Sequence, residues 1–189
     1  MDLQPVFDSQ GQLEIGQPAP GFELPGVDGN RYNLEDYRGK VKALAVIFSC
    51  NHCPYVIKWE DRMIDLAKEY KDRGFELIAV CSNDPARYPQ DSFANMKVRA
   101  REKGFPFPYV HDETQEVARA YGAKVTPHVF LFDGDLKLRY RGAIDDNPDL
   151  ENRPTANYLK DAVEALLAGE PDAVGTSKTR EVGCSIKWK

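Results

Sequence analysis

Two cysteines separated by two residues are the strongest chemical signal in this sequence, in the segment Cys50-Asn51-His52-Cys53. An apolar run that predicts a buried strand precedes them, and an amphipathic run that predicts a helix follows them. A cysteine at the N-terminus of a helix faces unpaired backbone N–H groups and the positive end of the helix dipole, which favour the thiolate. Because a gap of two residues lets the sulfurs meet across one helical turn, the pair predicts thiol–disulfide exchange.

In this prediction Cys50 is the more exposed thiol that attacks a substrate disulfide, and Cys53 is the more buried thiol that resolves the mixed disulfide. His52 would tune the pair, since a histidine can supply a hydrogen bond or a positive charge beside a thiolate. A metal site is the main alternative, but a structural zinc needs four ligands, normally as two close pairs. The other two cysteines are single, and His52 lies between the paired ones, so no metal and no other cofactor is predicted.

The two remaining cysteines need separate explanations. Cys81 ends a second apolar run and is interpreted as a packing residue, because free cysteine is among the most buried residue types. Cys184 lies in a polar tail about 15 residues after Gly169. Such a tail spans roughly 50 Å when extended, which exceeds the radius of gyration of about 16 Å expected for a domain of this size. Two interpretations stay open: a third redox thiol, with Ile186 and Trp188 anchoring the tail, or a buried, inert cysteine.

The elements that position these residues follow from the spacing of apolar side chains. Residues 41–48 form a continuous, partly β-branched run that is typical of a strand in a parallel sheet. Residues 54–73 have apolar side chains every three or four positions, with Pro54 in the first turn and Gly74 at the end, which predicts a helix. Residues 75–81 form a second buried strand. This part of the chain therefore predicts a β–α–β unit.

Further elements are predicted around this unit. They are a small hairpin around residues 26–30, helices over residues 92–103, 112–122 and 155–168, and a hairpin of residues 129–132 and 136–140 around Asp133-Gly134. Asp112 and Gln115 have the spacing of a capping box at the start of the second helix. The predicted fold class is α/β, with helices on both faces of a mixed sheet.

His111 is predicted at the surface or as a cap, and His128 as structural or exposed. Asp145 is predicted to begin a solvated turn.

Length and charge exclude several functional classes. A chain of 189 residues suggests one domain with extensions, and four cysteines are too few for a disulfide-built fold. The net charge of −5 disfavours nucleic acid as a partner. The longest apolar run has six residues, Ala43 to Phe48, far fewer than the ~20 of a membrane helix. The N-terminus carries no secretory signal, so a cytoplasmic, monomeric protein without a membrane partner is predicted.

The chain resembles the thioredoxin superfamily, in the thioredoxin-like and redoxin branch that is related to peroxiredoxins. The resemblance rests on the strand, Cys50-x-x-Cys53 and helix, on Val125-Thr126-Pro127 before a strand, and on the hairpin and helix at the end. It implies a three-layer α/β/α fold with a central mixed sheet. It also implies that Pro127 is cis and that the Thr126 backbone binds an extended substrate peptide.

The resemblance covers residues 16–168, which leaves a lead-in of residues 1–15 and a tail of residues 169–189 that carries Cys184. It implies a thiol–disulfide oxidoreductase whose substrate is a disulfide-containing protein or small molecule, with another thiol system as electron donor. Thioredoxins carry a buried acid six residues before the first cysteine, where this chain has Leu44, so the proton acceptor for Cys53 is unassigned.

Two alternatives to this function remain at the level of sequence. Peroxiredoxins carry Pro-x-x-x-Thr/Ser-x-x-Cys, and the Pro and Thr of that motif are absent whether Cys50 or Cys53 is taken as its cysteine. A thiol peroxidase of the redoxin branch is therefore the weaker enzymatic alternative. The other is a non-catalytic binding module that holds a partner on the Pro127 face.

Overall fold

The computed structural model describes residues 6–149 and 153–189 and has one central sheet with helices on both sides. The strands are β1 Glu23–Pro25, β2 Arg31–Asn33, β3 Ala43–Ser49, β4 Phe75–Cys81, β5 Tyr109–His111, β6 Val125–Thr126, β7 His128–Asp133, β8 Leu138–Gly142 and β9 Cys184–Ser185. The α-helices are α1 Pro54–Tyr70, α2 Phe93–Lys103, α3 Glu116–Tyr121 and α4 Tyr158–Leu167. Within those two described ranges, no helix combines the length and the apolar character that a membrane span requires.

The central sheet has the strand order β5-β4-β3-β7-β8. β3 and β4 are parallel, as are β4 and β5, whereas β7 runs antiparallel to both β3 and β8. The predicted mixed sheet and its β–α–β unit are confirmed, and the small hairpin is formed by β1 and β2. Because β3 and β4 are parallel neighbours, the loops that follow them leave the same edge of the sheet.

The side chains of β3 alternate between two separate apolar cores, as strand geometry requires. Ala43, Ala45 and Ile47 belong to the core that α1 and α4 cover. Leu44 and Val46 belong to the core that α3 covers together with the N-terminal lead-in. This is the predicted three-layer arrangement, and it explains why every residue of β3 is buried.

The segments on either side of residues 16–168 pack against them. Leu13 of the lead-in is fully buried, and the Arg141 guanidinium on β8 hydrogen-bonds to Gln12. The tail runs beside β8, where the Arg141 carbonyl accepts from the Thr179 N–H at 3.1 Å, and it then reaches β6 as β9. Beyond β9, Ile186 is buried. The tail is therefore fixed along its last 13 residues by backbone pairing and apolar contacts.

The predicted capping box of Asp112 and Gln115 is half formed: the Asp112 carboxylate accepts from the N–H groups of residues 117 and 118, at 3.3 and 2.9 Å, but the Gln115 side chain binds elsewhere. The helix begins later, at Glu116, and Gln115 has a positive φ of 67°. The side-chain amide of Gln115 donates to the carbonyl oxygens of Ser82 and Lys187, at 2.8 and 2.9 Å. Gln115 therefore joins the loop after β4 to the tail instead of capping its own helix.

The hairpin of β7 and β8 has a longer turn than predicted, because β8 begins at Leu138 and not at Leu136. The Asp133 carboxylate accepts the backbone N–H groups of Asp135 and Lys137, at 3.0 Å each. Leu136 has a φ of 58°, and its side chain is fully buried in the core under α3. Burial of this side chain offsets the unfavourable backbone conformation.

Two polar residues predicted at the surface are buried. His111 stacks on Phe93 with ring centroids 5.5 Å apart. The Asp145 carboxylate accepts from the Trp59 indole N–H at 2.8 Å and pairs with the Arg62 guanidinium at 2.7 Å. Charge-assisted hydrogen bonds compensate the loss of water at Asp145, whereas the buried Nε2 of His111 has no hydrogen-bond partner among the described residues. The surface assignment of His111 and the solvated turn at Asp145 are therefore wrong.

Candidate active site

The two paired cysteines lie where β3 gives way to α1. Cys50 directly follows β3, and Cys53 is the N-cap residue of α1, with Pro54 at the first helical position. Proline fits there because its missing N–H has no helical partner at that position. The Thr126–Pro127 peptide bond is cis, as the resemblance implied, and lies beside both cysteines.

Thr126 contacts both sulfurs. Cys50 Sγ is 3.5 Å from Thr126 Oγ1, and Cys53 Sγ is 3.2 Å from the Thr126 carbonyl oxygen, to which the protonated thiol donates. Only 3% of the surface of Cys50 and 1% of that of Cys53 is exposed. The predicted contrast in exposure is absent, because the neighbouring chain encloses both side chains.

The negative charge of the reduced pair lies on Cys53. A hydrogen bond from the Cys50 thiol lowers the pKa of Cys53 to about 4 against the opposing effect of burial, with further hydrogen bonds from the Cys184 thiol and the Val56 N–H. The same hydrogen bond raises the pKa of Cys50, and burial and the nearby Asp91 carboxylate add to that rise. The sequence argument placed the thiolate on Cys50. The helix starts at residue 54, so its free N–H groups favour charge on Cys53 instead.

We expect the reduced protein to show the ultraviolet absorbance of one thiolate at neutral pH and to lose it as the pH falls through about 4. The Cys53→Ser variant should lack this absorbance. The Cys81→Ser variant should retain it, since burial raises the pKa of Cys81 to about 12 and keeps that thiol protonated. Loss of the signal in Cys50→Ser together with its retention in Cys53→Ser would place the thiolate on Cys50.

His52 faces a carboxylate that the sequence argument missed. Its Nδ1 lies 2.7 Å from Asp91 Oδ2, a close contact without the alignment of a good hydrogen bond. The His52 ring stacks on Tyr88, with centroids 5.7 Å apart. The tuning of the cysteines by His52 stays a prediction, and the contact places Asp91 beside that ring.

Asp91 organises the loop that carries the cysteines. It is fully buried, and its carboxylate accepts from the Asn51 backbone N–H at 2.7 Å and from the Asn83 amide at 2.8 Å. Leu44, which stands where thioredoxins have a buried acid, is a core residue. The carboxylate of this site thus comes from the segment after β4.

A signal for Asp91 was present in the sequence. Parallel strands place their following loops at one edge of the sheet, and the register pairs Ser49 with Cys81. The polar residues that follow Cys81 therefore had to lie near Cys50. Two of them, Asn83 and Asp91, contact each other beside the Cys50–Cys53 loop.

Three donor atoms at this site have the proximity of metal ligands. They are Cys50 Sγ, one nitrogen of His52 and one oxygen of Asp91, all within 4.8 Å of one another. From the sequence, the position of His52 between the cysteines was expected to prevent it from sharing a metal ion with them. For Cys50 and His52 this expectation is wrong, because the loop turns both side chains towards Asp91. The absence of a metal stays a prediction.

The tail brings Cys184 to the same place. β9 pairs antiparallel with β6, so that Cys184 lies opposite Thr126. The Cys184 thiol is near enough to Cys53 that each shifts the pKa of the other, and it is partly exposed, unlike the other two thiols. The Thr126 backbone, which the resemblance assigned to a substrate peptide, is paired here with the tail of the chain itself.

Two other residues singled out in the sequence are structural. Cys81 is fully buried at the end of β4, in agreement with a packing role. His128 is also fully buried, and its Nδ1 accepts from the Lys124 N–H at 3.2 Å. Burial lowers the pKa of His128 to about 3, so the ring is neutral at physiological pH. Neither residue contributes a titrating group to exchange chemistry.

Comparisons with known proteins agree with this fold and with thiol–disulfide chemistry. The thiol-disulfide oxidoreductase ResA of Bacillus cereus (strain ATCC 10987 / NRS 248) is 27% identical over 135 residues, which are 71% of this chain and 73% of that protein. A crystal structure of an uncharacterized conserved protein from Geobacillus kaustophilus is 44% identical, with a TM-score of 0.87 and 93% of each chain covered.

A third comparison concerns the fold alone. The thioredoxin domain of a thiol-disulfide oxidoreductase from Bacteroides vulgatus is 23% identical, with a TM-score of 0.58, and 67% of this chain and 86% of that one are covered. These comparisons confirm the predicted thioredoxin-like fold and the predicted class of activity, thiol–disulfide exchange. The profile of the AhpC/TSA family matches residues 15–141, and the chain therefore belongs to the AhpC/TSA family.

Proposed function

We propose that this protein is a thiol–disulfide oxidoreductase in which Cys50 attacks the substrate disulfide and Cys53 resolves the mixed disulfide. The observation that carries the proposal is the pair of cysteines at the start of α1, whose sulfurs both contact Thr126, at 3.5 and 3.2 Å. Both sulfurs are almost fully enclosed, and Cys53 also has Cys184 as a neighbour; we therefore assign the attack on the substrate to Cys50.

The charge distribution supports a division of labour between the two sulfurs. The Cys53 thiolate receives the proton of Cys50 as Cys50 Sγ attacks, and one substrate sulfur leaves as a thiolate. Cys53 then passes its proton to that leaving sulfur and attacks Cys50 Sγ, which releases the second substrate thiol and leaves a Cys50–Cys53 disulfide. One substrate disulfide is reduced and one protein dithiol is oxidised. While Cys50 is in the mixed disulfide its thiol no longer lowers the pKa of Cys53, but the Cys184 thiol and the Val56 N–H still do, and they favour the attacking thiolate.

The substrate is a disulfide-containing protein or small molecule, and a separate thiol returns the enzyme to its reduced form. The similarity to the thiol-disulfide oxidoreductase ResA supports the first half of this statement. The identity of both partners, the cytoplasmic compartment and the monomeric state stay predictions.

Trapping experiments test the assignment. With glutathione disulfide as probe, the Cys53→Ser variant should accumulate a mixed disulfide on Cys50, because the resolving thiol is absent. The Cys50→Ser/Cys184→Ser variant keeps only Cys53 of the three site thiols and should form its mixed disulfide more slowly. Mass spectrometry of the intact protein and of its peptides gives both rates.

Two results would contradict the proposal. A Cys184→Ser protein that is not oxidised to a Cys50–Cys53 disulfide by glutathione disulfide would contradict the activity. Faster trapping on Cys53 than on Cys50 would exchange the two roles. The Cys81→Ser variant serves as the matched control, because Cys81 is a core residue without contact to a substrate in this mechanism.

A further inference from the structure

We propose that Cys184 is the third thiol of this enzyme and takes the disulfide over from Cys50, so that an external reductant acts on a Cys53–Cys184 bond. The inference rests on the proposed function, since the Cys50–Cys53 disulfide is its starting point. It assigns a role to the C-terminal strand that the exchange chemistry of the Cys50–Cys53 pair does not require.

The backbone of the tail fixes the position of Cys184. β9 lies in register with β6, and the Ile186 N–H donates to the Lys124 carbonyl oxygen at 2.9 Å on the far side of the pair. Beyond it, the Lys187 N–H donates to the Asn83 side chain at 2.9 Å. Cys184 is therefore held between two anchored segments and does not sample the solvent as a free tail would.

The sulfur of Cys53 is common to both pairs. It contacts Cys50 on the side of the β3–α1 loop and Cys184 on the side of the tail. Cys53 Sγ lies 3.2 Å from the carbonyl oxygen of Thr126, the residue that pairs with Cys184, and a disulfide has an S–S length of about 2 Å, so each pair has to approach before its bond closes. A thiol on each side of one shared sulfur is the arrangement that disulfide transfer needs.

The transfer itself is balanced without any added oxidant. Cys184 Sγ loses its proton and attacks Cys53 Sγ of the Cys50–Cys53 disulfide. The Cys53–Cys184 bond forms, the Cys50–Cys53 bond breaks, and Cys50 leaves as a thiolate that takes up the proton. The oxidation state of the protein is unchanged, and Cys50 is again a free thiol.

Two causes that hold Cys184 protonated in the reduced protein disappear on oxidation. Burial is the first cause that raises the pKa of Cys184, to about 11, and the hydrogen bond to Cys53 and the charge on Cys53 follow. Once Cys53 is in a disulfide, it carries no charge and accepts no proton from Cys184. Oxidation of the Cys50–Cys53 pair thus prepares Cys184 for attack.

The transfer moves the disulfide to a cysteine that is more exposed to a donor thiol. Cys50 and Cys53 are 3% and 1% exposed, whereas Cys184 is partly exposed at the edge of the fold. A donor dithiol reaches Cys184 Sγ, forms a mixed disulfide with it and displaces Cys53. Cys53 is a good leaving group because thiols of low pKa leave faster. The second donor thiol then releases Cys184, so that the donor is oxidised and all three enzyme thiols are reduced.

The decisive experiment removes Cys50 and asks whether the second pair closes. The Cys50→Ser variant, treated with glutathione disulfide and digested without reductant, should yield a Cys53–Cys184 cross-linked peptide. The matched control is Cys50→Ser/Cys184→Ser/Ser185→Cys, which keeps a thiol in the tail but moves it one position. Adjacent residues of a strand point to opposite faces, and Ser185 is exposed. The control should therefore give no cross-link to Cys53.

A kinetic measurement separates this inference from the proposed function. Reduction of the oxidised enzyme by dithiothreitol should be about ten- to a hundredfold slower in Cys184→Ser than in the wild type, because the donor must attack the enclosed pair. The inference is overturned if Cys50→Ser accumulates glutathione on Cys53 without a Cys184 cross-link. It is also overturned if Cys184→Ser is reduced at the wild-type rate. In both cases a Cys184→Ser variant that still forms its Cys50–Cys53 disulfide leaves the proposed function standing.

Discussion

Replacement of Asp91 by alanine is expected to lower the free energy of unfolding by about 3–5 kcal/mol, the range found when one partner of a buried charged network is removed. The carboxylate is fully buried and accepts from the Asn51 N–H and the Asn83 amide. Alanine leaves both donors buried without an acceptor and opens space between two loops. Because one of those loops carries Cys50 and Cys53, disulfide exchange should be slowed as well. Urea unfolding of the reduced proteins measures the first effect, and trapping with glutathione disulfide measures the second.

The conservative change and an exposed control sharpen this prediction. Asp91→Asn keeps the shape and one acceptor oxygen but removes the charge, so it should be destabilised less than Asp91→Ala. The charge of Asp91 contributes to the raised pKa of Cys50, and its removal should lower that pKa. Asp172→Ala changes a carboxylate that is 99% exposed and should alter the stability by no more than about 0.5 kcal/mol. A loss below about 1 kcal/mol in Asp91→Ala would show that the loop does not depend on this carboxylate.

A methyl group at position 183 should detach the end of the tail. A Cβ on Gly183 would lie 2.1 Å from the Thr126 carbonyl oxygen and 3.3 Å from Pro127 N, and both are backbone atoms that cannot move aside as a side chain can. Gly183→Ala therefore has to break the β6–β9 pairing. If opening the tail becomes easier by about 2 kcal/mol, Cys184 should react roughly 30-fold faster with a thiol reagent.

A second glycine of the same tail supplies the control. A Cβ on Gly175 would meet no atom within 4 Å, so Gly175→Ala should leave the reactivity of Cys184 unchanged. Labelling with Ellman's reagent, followed by peptide mapping, reports each cysteine separately. Equal labelling of Cys184 in Gly183→Ala and Gly175→Ala would mean that the tail does not need the close approach at Thr126.

Local patterns were sufficient for the elements that carry the cysteines. The apolar run of β3 and the helical spacing of α1 predicted the strand–cysteine–helix junction, and the four-residue motif predicted its chemistry. The position at which α1 begins decides which cysteine carries the negative charge. The N-cap residue is Cys53, so the charge lies on the second cysteine. The spacing of apolar residues cannot place the start of α1 to within three residues, because the residues of the Cys50–Cys53 motif have no apolar periodicity.

The roles of residues that contact distant parts of the chain were not predicted from the sequence. Gln115 had the spacing of a capping residue, but its amide binds the Lys187 carbonyl, 72 positions away. Leu136 looked like a strand residue, and its buried side chain instead fixes a turn. Both were misjudged for one physical reason: a tertiary contact stabilised a conformation that local preference disfavours. Asp91 belongs to the same class, and only the parallel pairing of β3 and β4 reveals its neighbours.

The strand that covers Thr126 also sets a threshold for substrates. Because β9 belongs to the same chain, it competes for the edge of β6 as an intramolecular ligand, and a short tether gives an effective concentration of about millimolar. An extended peptide that pairs with Thr126 must outcompete β9, so an unstructured chain at micromolar concentration is excluded unless it makes contacts elsewhere. A small disulfide that needs no pairing with the strand edge is exempt from this competition. The C-terminal strand thus limits which peptides can pair with Thr126, and its removal should widen the range of disulfide-containing proteins that react with the enzyme.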